Sequence, residues 1–197
     1  MFLFPFALLV TLLKPGGARA APTPPCGRQA TCTLPASKDC TVRSGCGNNG
    51  TPPPRAAKIR GLRILDVGCG INKAPGSIGI DRNPASAADV LCDLDRFPYP
   101  FRDNSFDRLE AVHVIEHVSD VIRTMEEFHR LVRPGGRIRV VTPHYTDFSS
   151  YCDPTHRWHL NSFSFRYFGE NHGGFGYYSP VRFRELSVRV KLLALWR

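Results

Sequence analysis

With 197 residues, 42% of them hydrophobic, the chain can bury the core of one ordinary domain and still carry extra segments. Its formal net charge of +9 is unevenly spread: residues 1–60 hold eight Lys/Arg against Asp39 alone, and residues 61–197 hold eighteen against sixteen Asp/Glu. The basic excess sits on the N-terminal part, so the globular part makes no electrostatic case for nucleic acid.

Met1 to Leu13 is almost wholly apolar, broken by Pro5 and Thr11, and Ala18-Arg19-Ala20 follows a Lys-Pro-Gly-Gly stretch. The pattern resembles a secretory signal with an A-x-A cleavage site, so residues 1–20 are read as a signal-like apolar leader. The run is too short for a comfortable transmembrane helix, and no membrane span is expected. Residues 21–57 are rich in Pro, Gly, Thr, Ser and Ala and lack helix or strand period, which reads as a disordered or loosely stapled linker. Four cysteines there (Cys26, Cys32, Cys40, Cys46) are spaced by 6, 8 and 6. Export would favour two disulfides, and the intervals are wider than those of a zinc knuckle.

Folded structure is expected over residues 58–197. Arg63 to Val67 is a short apolar run of the buried parallel-strand kind, ending in the turn Gly68-Cys69-Gly70. A second strand, Ser77 to Ile80, ends on Asp81, and only a turn or so of helix fits between the two. Asp89 to Cys92 is a third strand ending in Asp93-Leu94, and Phe106 to Val112 is a fourth. The proline-studded loop Phe97-Pro98-Tyr99-Pro100-Phe101 cannot be helix interior and is read as packing on the sheet. Ser119 to Arg133 carries an apolar stripe at intervals of three and four, capped by Ser119 or Asp120 and stopped by Pro134-Gly135-Gly136. Arg137 to Thr142 is a fifth strand, Asn161 to Phe168 a short helix, and Phe183 to Trp196 one further strand.

In open α/β sheets ligands lie at the carboxyl ends of strands, which puts the glycine turn and Asp81 on one crevice. A carboxylate there suits a ribose, because it can accept from two vicinal hydroxyls. Ile71-Asn72-Lys73 follows Gly70, so the third glycine of a dinucleotide fingerprint and a pyrophosphate cradle are missing. That disfavours a nicotinamide-dependent oxidoreductase and favours a nucleoside without phosphate.

The LDVGCG turn, Asp81, Cys92-Asp93-Leu94, the HVIEHV segment at 113–118 and Arg133-Pro134-Gly135-Gly136 stand in one order between residues 63 and 143. In these motifs the chain resembles the class I S-adenosylmethionine-dependent methyltransferases, in particular their small type 11 branch. The resemblance implies a Rossmann-like, doubly wound, mostly parallel α/β sheet that closes with an antiparallel pair. Only one good strand is found for that pair, so the last strand is expected to be missing or the sequence truncated.

The resemblance further implies S-adenosylmethionine as cofactor, held by Asp66, Gly68, Cys69, Gly70, Asp81, Asp93, Leu94 and His113. Asp93 and Leu94 would flank the adenine, and the 113–118 segment would lie between cofactor and acceptor. His144 and His156, on the segment after the fifth strand, are the candidate general bases, with His117 in reserve. An imidazole of ordinary pKa near 6.5 suits deprotonation of a hydroxyl or protonated amine.

His113-Val114-Ile115-Glu116-His117 also spells an inverted zinc-peptidase pattern. It straddles a strand end and a helix start, so no metal site is expected. The function read from all this is methyl transfer to a small-molecule or saccharide-like acceptor, in the cytoplasm, where the donor is made. The rivals are a non-catalytic S-adenosylmethionine-binding protein and a secreted, disulfide-stapled protein with a vestigial pocket.

Overall fold

The structure, a computed structural model, describes residues 7–16, 61–170 and 176–191. Seven strands make one sheet: β1 (Ala7–Leu13), β2 (Ile64–Val67), β3 (Ser77–Asp81), β4 (Val90–Leu91), β5 (Phe106–Val112), β6 (Val132–Pro143) and β7 (Arg184–Lys191). Their order across the sheet is β4-β3-β2-β5-β6-β1-β7. The strands β4, β3, β2, β5 and β6 are parallel, with the chain growing outward from β2 first through β3 and then through β5. The carboxyl ends of β2 and β5 therefore form the topological switch point, where such sheets open a crevice.

The N-terminus departs most from the sequence reading. The apolar run read as leader contains a strand: β1 lies between β6 and β7 and is antiparallel to both. It has strand period, burying Leu8, Val10 and Leu12 and leaving the alternate residues half-buried. Composition alone could not separate the two readings, because a short, uncharged apolar run suits a signal and a buried strand equally. β1 occupies the antiparallel place that the sequence left empty, so the described sheet is not short of a strand.

Lys14 then anchors the segment. Its N–H donates to Gly136 O (3.0 Å) and its carbonyl accepts from Gly135 N–H (2.8 Å). Its ammonium donates to Asn104 Oδ1 (2.7 Å) and His129 O (2.9 Å). His129 sits in the last turn of helix α1 (Val121–Leu131), so the cation meets an unpaired helix carbonyl at the negative end of the dipole.

Asp120 caps α1, its Oδ1 accepting from Arg123 N–H (2.9 Å). Met125, Phe128 and Leu131 form its buried stripe. The strand resumes at Val132, directly after the helix, and a register shift opposite Phe106–Arg108 lets Arg133 to Gly136 bulge out. The expected fifth strand thus begins earlier than Arg137. No helix lies between β2 and β3, where a turn or so was expected. The expected helix over 161–168 is a 3-10 turn, Ser164–Phe168, and a one-turn helix α2 (Ser149–Cys152) precedes it. The linker 21–57 with its four cysteines, and residues 192–196 of the last expected strand, lie outside the described residues.

Because Leu8 and Leu12 are fully buried, Leu8→Ala and Leu12→Ala should each cost about 2–4 kcal/mol in urea unfolding. A dispensable leader would show no change. A second expectation concerns acid. Burial, with a smaller push from Lys14, lowers the His129 imidazole to about 4. The unfolded chain then binds this proton first, so its stabilising contribution is complete above about 6.5 and fades as pH falls towards about 4. Melting temperature should drop over that window, and His129→Gln should flatten the drop.

Candidate functional site

β2 runs into Gly68 and Gly70, both in the left-handed region at φ 62° and 53°, which side chains rarely adopt. A Cβ on Gly68 would lie 2.4 Å from Val114 Cγ2, so the turn also needs glycine for space. Gly68 and Cys69 donate to Ile80 O (2.8 and 3.2 Å), pressing the turn onto the end of β3. There Asp81 accepts from Gly70 N–H through Oδ2 (2.9 Å) and from Asn83 N–H through Oδ1 (2.8 Å). Each oxygen keeps a lone pair for a ligand hydroxyl.

After β4 come Asp93, Leu94 and Asp95. The Leu94 carbonyl accepts from the Tyr99 hydroxyl (2.9 Å). The aromatic loop packs as expected: Tyr99 is buried, Phe97 stacks on it, and Glu127 of α1 accepts from the Tyr99 N–H (2.7 Å). Asp95 Oδ1 accepts from Ser119 N–H (2.8 Å), tying this loop to the approach of α1. β5 runs into His113, a non-glycine residue at φ 55°. The strain is held by its N–H on Val141 O (2.8 Å) and its Nδ1 on Glu116 Oε1 (3.2 Å).

These strand ends enclose a cavity of about 230 Å³, with Gly68, Asp81, Asp93, Leu94, His113 and His117 in its wall. Arg82, Asp95, Val114, Val118 and Thr155 complete it; Val114 and Val118 belong to the 113–118 segment, and Arg82, Asp95 and Thr155 were not named as site residues. Arg82 and Asp95 adjoin named motif residues, a signal that could have found them. Thr155 arrives from the loop after the fifth strand, the segment that also carries the candidate base His156.

Three of the expected cofactor residues lie elsewhere. Asp66, Cys69 and Gly70 border a second cavity of about 630 Å³, shared with Arg108, Glu110 and Arg139. Strand alternation puts Asp66 on the face opposite Leu65 and Val67. Its Oδ2 accepts from Ala74 N–H (2.7 Å), so it braces the loop after the turn. Burial raises the Asp66 carboxyl, partly offset by that hydrogen bond. The smaller cavity is the better candidate for chemistry, because it joins the ends of four parallel strands and carries the Asp81, Asp93 and Asp95 carboxylates.

Of the expected bases, His117 is in the cavity wall and His156 packs edge-on behind it, ring centroids 4.7 Å apart. His117 Nδ1 meets Thr155 Oγ1 (3.0 Å) and Thr155 O (3.3 Å), and His156 Nδ1 meets Ser150 O (3.1 Å). His144 is absent from the cavity wall: it is buried, with Nδ1 on Thr146 Oγ1 (2.7 Å), bridged to Leu160. The segment after β6 also exposes Tyr145, Phe148, Tyr151, Trp158 and Phe163, and the Trp158 indole donates to Val118 O (2.7 Å).

A glycine turn, an acid at the end of the next strand and no phosphate cradle define an α/β protein shaped for a nucleoside. Residues 44–140 match the family described as "Methyltransferase domain". The chain is similar to "Ubiquinone biosynthesis O-methyltransferase" of Rhizobium etli, 32% identical over 117 residues, covering 49% of this chain and 47% of that protein. It is also similar to "Methyltransferase GfsG" of Streptomyces halstedii, 31% identical over 103 residues, covering 41% and 37%. Among solved structures, an S-adenosylmethionine-dependent methyltransferase from Archaeoglobus fulgidus matches with TM-score 0.47 at 21% identity, covering 54% of this chain and 57% of that one. The chain spans about half the length, or less, of the curated relatives it matches. Over residues 44–140 the chain is similar to the class I S-adenosylmethionine-dependent methyltransferases, type 11 branch.

Gly68→Ala should lose about 1–3 kcal/mol of stability from the strained φ and the clash with Val114. Trimming Val114 to Ala in the same chain should recover only the steric share, read by denaturant unfolding of the single and double variants.

Proposed function

We propose that the chain transfers a methyl group from S-adenosylmethionine to a small-molecule acceptor. One observation carries the reading: the Asp81 carboxylate, braced by two backbone N–H groups, sits in a cavity beside Gly68, Asp93 and His113. Asp81 would accept from the ribose hydroxyls, Asp93 and Leu94 would flank the adenine, and Gly68 would let the backbone approach. Asp66, Cys69 and Gly70 would support the turn from its other side. The cofactor supplies a methyl group already activated on a sulfonium, so the protein's task is alignment of donor and acceptor.

The acceptor side falls to His117 and His156. His117 is the group in the cavity wall, and Thr155 holds its Nδ1, which leaves the other ring nitrogen for an acceptor proton. The exposed aromatic rings on the following segment would suit a flat or saccharide-like acceptor. The Rhizobium etli relative is an O-methyltransferase by name, which favours an oxygen acceptor. The cytoplasm is the expected compartment, and the use of Ala7–Leu13 as a sheet strand supports it over export.

The test is transfer of a labelled methyl group from S-adenosylmethionine to a panel of phenols, catechols and sugars. On a positive acceptor, His117→Ala should lower kcat by about 10²-fold, the low end for a proton-transfer group, and leave cofactor affinity nearly unchanged. His144→Ala should leave kcat within about threefold, since truncation away from the reacting atoms leaves proton transfer intact. Cofactor binding without transfer across the panel would favour the non-catalytic reading.

A further inference from the structure

The inverted-peptidase spelling at 113–117 does not bring its two histidines together as ligands. His113 instead holds one oxygen of Glu116, and the third partner comes from a distant loop. A carboxylate oxygen of Glu116 and one ring nitrogen each of His117 and His156 lie within 4.8 Å of one another. Glu116 is 1% exposed, and its Oε2 has no hydrogen-bond partner. A buried carboxylate oxygen in that state is costly unless something positive meets it.

The histidines are set up consistently. Ser150 O can only accept, so His156 carries a proton on Nδ1, and Nε2 is the ring nitrogen left for a ligand. Thr155 Oγ1 donates to Asp153 Oδ1 (2.6 Å), so with Thr155 O it accepts from His117 Nδ1. Both imidazoles are therefore anchored through Nδ1, which leaves Nε2 as the nitrogen available to a metal, the arrangement of metal-binding histidines. Asp153 Oδ2 lies 3.9 Å from His156 Nε2, beyond hydrogen-bond reach, and adds negative charge nearby.

We propose that Glu116, His117 and His156 bind one divalent cation of the zinc class. Two imidazoles and a carboxylate form a donor set that suits zinc, cobalt or nickel. Ligand bonds of about 2 Å need only a modest inward rotation of side chains already this close. Three protein ligands leave a fourth position, and His117 and Thr155 put the site at the wall of the cavity. The fourth ligand is an oxygen of the acceptor, a hydroxyl or carboxylate. This last assignment rests on the methyl-transfer reading, and with the cation in place the two histidines serve as ligands, not as a free base.

The experiment titrates cobalt(II) into the full chain after chelator treatment, with zinc as competitor. One equivalent should bind, giving visible d–d bands without thiolate charge transfer, and zinc should abolish them. Glu116→Gln and His117→Asn should each weaken binding by more than about tenfold, since even indirect partners of a metal site carry that much. His117 is partly open to the cavity, so its variant keeps the test valid if the buried Glu116 change impairs folding. No saturable band, or a band unchanged in both variants, overturns the proposal. So does a thiolate-type band that vanishes when Cys26, Cys32, Cys40 and Cys46 become Ser. S-adenosylhomocysteine is titrated into the same sample, so loss of metal with cofactor binding intact sinks this inference alone.

Discussion

The structure depends on a close parallel pairing of β2 with β5, whose ends meet where Gly68 faces Val114. With a Cβ at Gly68 the two ends could not approach as they do, and the His113–Val118 segment would be pushed off the turn. The same contact brings β3's terminal Asp81 and His113, just after β5, to one cavity, because Gly68 and Cys69 also bond Ile80. Backbone geometry therefore decides where the carboxylate and the imidazoles stand. Asp81 reinforces the turn that creates its own pocket, so site and scaffold are energetically coupled.

The opposite end of the sheet shows a different economy. β6 would be left with an open edge if only the β7 segment followed it, and open apolar edges pair with whatever they meet. The N-terminal strand fills that place between β6 and β7, and Lys14 secures it to α1 and to the bulge within β6. Two segments far apart in sequence thus complete the antiparallel side. The site lies among the parallel strands, away from this repair.

Much of the parallel half was legible in the chain. The strands from Ile64 to Pro143 and the helix α1 follow from apolar runs, a strict stripe and an Asp120 cap, which are local signals. Gly68, Asp81, Asp93, Leu94 and His113 were legible because motif position at a strand end decides what reaches the cavity. Asp66 borders the second cavity because strand alternation, which its motif does not display, turns it to the other face. The place of His144 was not legible for a related reason: loop segments have no period, and only the fold shows that its imidazole meets Thr146 outside the first cavity's wall. β1 was hidden because pairing partners 124 or more residues away leave no trace in a seven-residue run. The Glu116–His117–His156 cluster was invisible for the same reason, since one member comes from a separate loop.

The central claim is that this cavity takes the nucleoside of S-adenosylmethionine. Calorimetric titration of the full chain with S-adenosylmethionine and S-adenosylhomocysteine, with NAD as control, tests it most directly. Saturable one-to-one binding of the first two, none of NAD, and a loss of about tenfold or more in Asp81→Asn is the result predicted. Absence of binding by a chain that melts cooperatively, or equal binding by Asp81→Asn, would contradict it.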